Sequence, residues 1–156
     1  MTFRAVKTYG YDLGLSCCFR QWRASSHCRH LHGYALSFEL VLEADQLDGN
    51  GWVIDFGALK PIKNMLYERF DHAMQVAVDD PALKILSALA ERDACHLAVV
   101  RHVGAEAFAA QVFAFTVQWL QDAGYGERVR LVSVTVKEHN ANAATAFGPE
   151  HAIAAE

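Results

Sequence analysis

The chain has no excess of positive charge: 14 lysines and arginines stand against 18 aspartates and glutamates in 156 residues, a net charge of −4 with neutral histidines. The basic side chains are scattered, no stripe of them follows a phosphate backbone, and nucleic acid is not an expected partner. No apolar run approaches the roughly 20 residues of a membrane-spanning helix, so no membrane is expected either. The start, MTFRAVKTYGYDLG, lacks the basic-then-apolar layout of a secretory signal. Of the four cysteines two, Cys17 and Cys18, are adjacent, an awkward spacing for a disulfide framework. A reducing cytoplasm is the expected compartment. No repeat, low-complexity tract or linker divides the sequence, and a chain this long buries roughly 70% of the surface its unfolded form exposes. Residues 1–156 therefore read as one domain that needs neither disulfide nor metal merely to fold.

What is present is alternation. Tyr9, Tyr11, Leu13, Leu15, Cys17 and Phe19 fall on one face of a segment read as a single long strand over 5–19. Tyr34, Leu36, Phe38, Leu40 and Leu42 mark a second strand, 127–139 a third and 143–148 a fourth. Between them Leu59, Ile62, Leu66 and Phe70 recur at helical spacing behind a candidate N-cap, Asp55, with Pro61 early in the helix. A second helix is expected over 81–94. A third is expected over 104–123 on Phe108, Val112, Phe115 and Trp119. This order predicts an α+β domain, an antiparallel four-stranded sheet with helices on one face.

Residues 25–34, SSHCRHLHGY, hold three histidines and a cysteine. His30 and His32 share one face if the segment is extended, which suits a metal pair, and a third zinc ligand would come from His27 or Cys28. The same histidines could instead hydrogen-bond within a loop and bind nothing. Cys28, among three imidazoles, is in the setting that activates a thiol as nucleophile or base. Cys17, Cys18 and Cys95 read as thiols without chemistry. Asp71 and His72 could form a general acid or base, the carboxylate fixing the imidazole, or be polar residues at a helix end. Glu138 lies in phase with Val132, Val134 and Val136, so its carboxylate is either solvated at the strand end or aimed into a pocket where it accepts paired N–H donors.

Together these stretches resemble the 6-pyruvoyl-tetrahydropterin synthase and 6-carboxytetrahydropterin synthase family: Cys28 followed by LHGY, GWVIDFGALK at 51–60, FDH at 70–72, GAEAFA at 104–109 and VKE at 136–138, in the family's order over roughly 9–148. The resemblance implies a tunnelling-fold (T-fold) subunit whose sheets join into a barrel in a homotrimer or homohexamer. It implies a zinc-dependent lyase acting on the small-molecule pterin 7,8-dihydroneopterin triphosphate, with Cys28, Asp71 and His72 in proton transfer and Glu138 and Glu106 on the pterin. Queuosine, folate and biopterin synthesis are its alternative settings. The zinc triad is where the chain departs from the family. Its first histidine falls on Phe19. Matching LHG to LHG keeps His32 and puts Tyr34 in the last ligand's place, whereas matching HLHGY to the family's His-Gly-His-Asn-Tyr keeps His30 and His32. Two readings follow: a lyase whose metal site is rebuilt locally, with His27 or Cys28 joining His30 and His32, or a divergent, non-catalytic pterin binder that has lost the zinc site.

Overall fold

The computed structural model describes residues 1–148. Its organising strand is β3, His32–Ala44, along which the alternation holds: Leu36, Phe38, Leu40 and Leu42 are completely buried and Tyr34 is half-buried. Two strands share one side of it. β1, Phe3–Tyr9, runs antiparallel to 38–44, and β2, Leu15–Phe19, runs antiparallel to 32–36. The single strand expected over 5–19 is thus interrupted. The Leu13 N–H donates to the Gly10 carbonyl (3.1 Å) and the Gly14 N–H to the Tyr11 carbonyl (3.0 Å), closing a tight turn that Gly14 leaves at φ 66°. Tyr11 keeps the phase of its neighbours in the sequence, but the turn rotates it outward to 37% exposure.

On the other side of β3 lies β6, Arg130–His139, and β7, Asn142–Phe147, returns antiparallel along it. These are the expected antiparallel strands, and the sheet extends beyond them. β4, Ala73–Ala77, runs parallel to β2, and β5, His96–Val100, runs parallel to β4, for seven strands in all. The sequence did not announce the additions. β4 is buried at every position and so shows no alternation, and each strand is only five residues long.

Asp55 caps a turn at Phe56–Leu59, its carboxylate accepting from the Gly57 N–H at 2.8 Å, and the turn feeds α1, Lys60–Phe70, with Pro61 in its first turn. α1 buries Ile62, Met65, Leu66 and Phe70. α3, Ala105–Asp122, buries Phe108, Val112, Thr116 and Leu120, a strict four-residue repeat. That register turns Phe115 outward and leaves Trp119 only half-buried, although both had been expected to face the core. The two helices share one face of the sheet through a chain of rings: Phe38 to Phe70 at 4.8 Å, Phe70 to Phe108 at 5.4 Å, and Phe108 to Phe19 at 5.1 Å. Such contacts contribute about 1 kcal/mol each beyond the area they bury. Cys18, out of phase with Cys17 and Phe19, points to the other face, where with Met74, Val76 and Leu97 it meets Leu83 and Leu86 of the short α2, Leu83–Ala90. Helices α1 and α3 thus lie together as expected, and α2 covers the opposite side of the parallel extension. Among the described residues the sheet is open, with edges at β5, β7 and β1.

Candidate functional site

The end of the β2–β3 pair carries the histidine-rich segment. His27–Arg29 form a single tight turn, and the Ser26 hydroxyl accepts from the Cys28 N–H at 3.4 Å. Two residues from just beyond β2 hold this turn in place. Arg20 makes a two-point pair with Asp80 (Nε to Oδ2 2.8 Å, Nη2 to Oδ1 2.6 Å) and reaches the Arg29 carbonyl with its remaining amino group at 3.3 Å. The Gln21 N–H donates to the Cys28 carbonyl at 2.9 Å, and its side-chain amide donates to the Val103 carbonyl at 3.0 Å. Hydrogen bonding to the guanidinium, ahead of all other causes, holds the Asp80 carboxyl below the usual carboxylate range. Cys28 is half-buried, and His27 and His30 are exposed.

β3 begins at His32, so His32 and Tyr34 lie on one face of a strand while His30 remains in the preceding turn. Phe19 pairs with His32 in the β2–β3 register. Gly33 permits the close approach: a β-carbon there would lie 2.6 Å from the Cys17 carbonyl oxygen. The rings of Phe19, His32 and Tyr34 converge, with centroids at 4.9 Å (Phe19–His32), 5.6 Å (His32–Tyr34) and 6.2 Å (Phe19–Tyr34). The convergent trio is therefore the one given by matching LHG to LHG, and it offers a single imidazole. Among the described residues no three of His, Cys, Asp or Glu are grouped to hold a metal ion. Zinc takes at least three protein ligands, and the residues that meet here do not fit it.

His32 Nδ1 lies 2.7 Å from the His30 carbonyl. A carbonyl only accepts, so Nδ1 carries the hydrogen and Nε2 is left as an acceptor. Tyr34 also meets His139 from the end of β6, with ring centroids at 5.9 Å. Burial first, then the negative charges of Glu138 and Cys28, push the Tyr34 phenol up. Tyr34 thus stands between the Cys28 loop and the end of β6, where His139 follows Glu138. Glu138 is half-buried at a point where the β6–β7 register shifts.

Asp71 and His72 form a second cluster. Asp71 ends α1, its N–H donating to the Tyr67 carbonyl, and its Oδ1 lies 2.7 Å from His72 Nδ1. The hydrogen is again on Nδ1, leaving Nε2 bare, and the His72 side chain is 86% exposed. His72 adopts φ 50°, a left-handed conformation costly for a residue other than glycine. Glu106 stands exposed in the first turn of α3, behind Gly104 at φ 108°. A β-carbon at Gly104 would run into the Gln21 amide, so the Gln21 side chain passes between the Cys28 turn and the start of α3. The structure thus places Cys28, His32 and Tyr34, with His139 beside Glu138, around the β2–β3 loop, sets Glu106 near the Gln21 amide, and holds Asp71–His72 between α1 and β4. Arg20, Gln21, Asp80 and His139 went unread in the sequence, because their roles depend on partners far along the chain.

Residues 12–149 match the family model for 6-pyruvoyl tetrahydropterin synthase. The chain is 29% identical over 127 residues to the 6-carboxy-5,6,7,8-tetrahydropterin synthase of Aquifex aeolicus, covering 80% of this chain and 78% of the relative. A shorter match, 39% identical over 54 residues, links it to the enzyme of the same name from Rickettsia felis, covering 34% of this chain and 39% of the relative. Among solved structures, an uncharacterised protein from Wolinella succinogenes superposes with TM-score 0.79 at 21% identity, covering 94% of this chain and 98% of the other. The 6-pyruvoyl tetrahydropterin synthase of Plasmodium vivax superposes with TM-score 0.67 at 17% identity over 94% and 97%. At these identities the superpositions show a shared fold.

Proposed function

Because the chain belongs to the 6-pyruvoyl tetrahydropterin synthase family, we propose that it is a pterin-binding lyase of the 6-pyruvoyl or 6-carboxytetrahydropterin synthase kind, converting 7,8-dihydroneopterin triphosphate to a tetrahydropterin product. The observation that carries this reading is geometric: Tyr34 meets His32 from the start of β3 at 5.6 Å and His139, the neighbour of Glu138, from the end of β6 at 5.9 Å, beside the loop that carries Cys28. A planar heterocycle bound there presents its amino and ring N–H groups to the Glu138 carboxylate, which can accept two donors side by side. Its side chain then lies toward Cys28. Glu106 supports the ring from the start of α3.

Proton transfer falls to Cys28 and to His72. The Asp71 carboxylate holds the His72 ring in one tautomer, so Nε2 takes or returns a proton while Nδ1–H stays on Asp71. Cys28 stands in the β2–β3 loop and His72 between α1 and β4, and the two are proposed to act together across subunits. A homotrimer or homohexamer, in which open sheets join into a barrel, would let a second copy supply the missing group and would cover the sheet edges. Light scattering checks this assembly, and a monomer at micromolar concentration would refute it. Four free cysteines suit a reducing cytoplasm, and no helix among the described residues is long and apolar enough to cross a membrane.

A second reading, a pterin binder without lyase activity, is favoured by Phe19 and Tyr34 standing where zinc ligands would converge. Both readings require Glu138. In a fluorescence titration with 7,8-dihydroneopterin, Glu138→Gln is expected to weaken binding at least about tenfold, since one acceptor becomes a donor facing donors, with little change in melting temperature. Equal affinity in the variant would remove Glu138 from the site.

A further inference from the structure

We propose that this chain holds its pterin without a resident metal, the Tyr34 hydroxyl donating a hydrogen bond to a side-chain oxygen of the ligand while His32 Nε2 accepts one from it. The proposal rests on the pterin reading above and adds how the ligand's side chain is recognised.

The convergent trio of Phe19, His32 and Tyr34 offers a ligand one ring without polar atoms, one imidazole and one phenol. Phe19 is 1% exposed and packed edge-on against Phe108, so the floor of the site is an apolar ring with no lone pair. A divalent cation beside it would lose hydration without gaining a ligand. Above that floor stand one donor and one acceptor. Tyr34 carries a phenolic hydrogen, as an ordinary tyrosine does at neutral pH. His32 has its Nδ1–H committed to the His30 carbonyl, so in the neutral ring Nε2 keeps a lone pair. An alcohol uses such a pair completely, accepting from the phenol and donating to the imidazole. The phenol, which stands between His32 and His139, brings an O–H donor beside the His32 acceptor. The ligand class is a planar heterocycle that donates to Glu138 from its N–H edge and bears at least one hydroxyl on its side chain.

The test uses the full chain and two probes, 7,8-dihydroneopterin, which has side-chain hydroxyls, and unsubstituted pterin, which has none. Metal content is measured in the as-purified protein. The expected result is substoichiometric metal and an affinity for 7,8-dihydroneopterin that is the same before and after chelator treatment. Tyr34→Phe is expected to lose about tenfold for 7,8-dihydroneopterin, the value of one hydrogen bond, and to bind pterin as wild type does. Its melting curve should match wild type. Stoichiometric metal with chelator-sensitive binding overturns the proposal, as does equal affinity of Tyr34→Phe for 7,8-dihydroneopterin. Wild-type protein that binds neither probe overturns the pterin reading and this proposal together, which separates that failure from the other two.

Discussion

Phe19 faces His32 across the β2–β3 register, with ring centroids 4.9 Å apart. A cross-strand pair at the end of a sheet is a favourable place for two metal ligands, because both side chains leave the same face at close range. Here one member is a phenyl ring, and Tyr34, the third convergent residue, is a phenol.

That relationship is open to reconstruction. The double substitution Phe19→His with Tyr34→His places three imidazoles at the convergent positions and is expected to bind about one zinc per chain, against substoichiometric zinc in wild type. Elemental analysis after dialysis reads the outcome. A folded double variant that takes up no zinc would show that the three positions do not converge closely enough.

The Cys28 turn depends on a pair distant from it. The Asp80 side chain is fully buried against Arg20, which also holds the Arg29 carbonyl. Asp80→Asn is expected to destabilise the fold by about 3 kcal/mol, because it leaves a guanidinium without its counter-charge. Iodoacetamide should also modify Cys28 faster in the variant. The sign of the pH effect follows from the depressed Asp80 carboxyl. Its contribution is complete above the unfolded carboxylate value of about 3.9 and is lost as pH falls through the lower folded value. Wild type should lose melting temperature below about pH 4 more steeply than Asp80→Asn. Parallel profiles would remove the pair from the account.

His72 separates function from folding. At φ 50° it carries strain that glycine would not, so His72→Gly is expected to stay within about 1 kcal/mol of wild-type stability. It should also lose the proton-transfer group, lowering turnover by about a hundredfold at unchanged pterin affinity. Unchanged turnover would assign His72 to the surface.

Much of this fold was legible in the sequence, and the exceptions share a cause. The alternation of β3 and the spacing of Leu59, Ile62, Leu66 and Phe70 each have one wet side and one dry side, which is what periodicity reports. β4 is dry on both sides and gave no period. Phe115 entered the reading of α3 because its spacing from Val112 and Trp119 fits a helical stripe, but Thr116 keeps the buried four-residue register instead. In the site, Cys28, His32 and Glu138 stood out by residue type. Arg20 and Gln21 did not, since an arginine and a glutamine after a strand carry no signal until Asp80 and Val103 are brought beside them.

The most direct test of the central claim is turnover. As-purified protein is incubated with 7,8-dihydroneopterin triphosphate and the pterins are separated and followed by fluorescence, beside Cys28→Ala. The account predicts a tetrahydropterin product in wild type, formed about a hundredfold more slowly in Cys28→Ala, with equal substrate affinity in the two. Substrate bound but not consumed would establish the non-catalytic reading. Substrate neither bound nor consumed, in protein shown to be folded, would contradict the account.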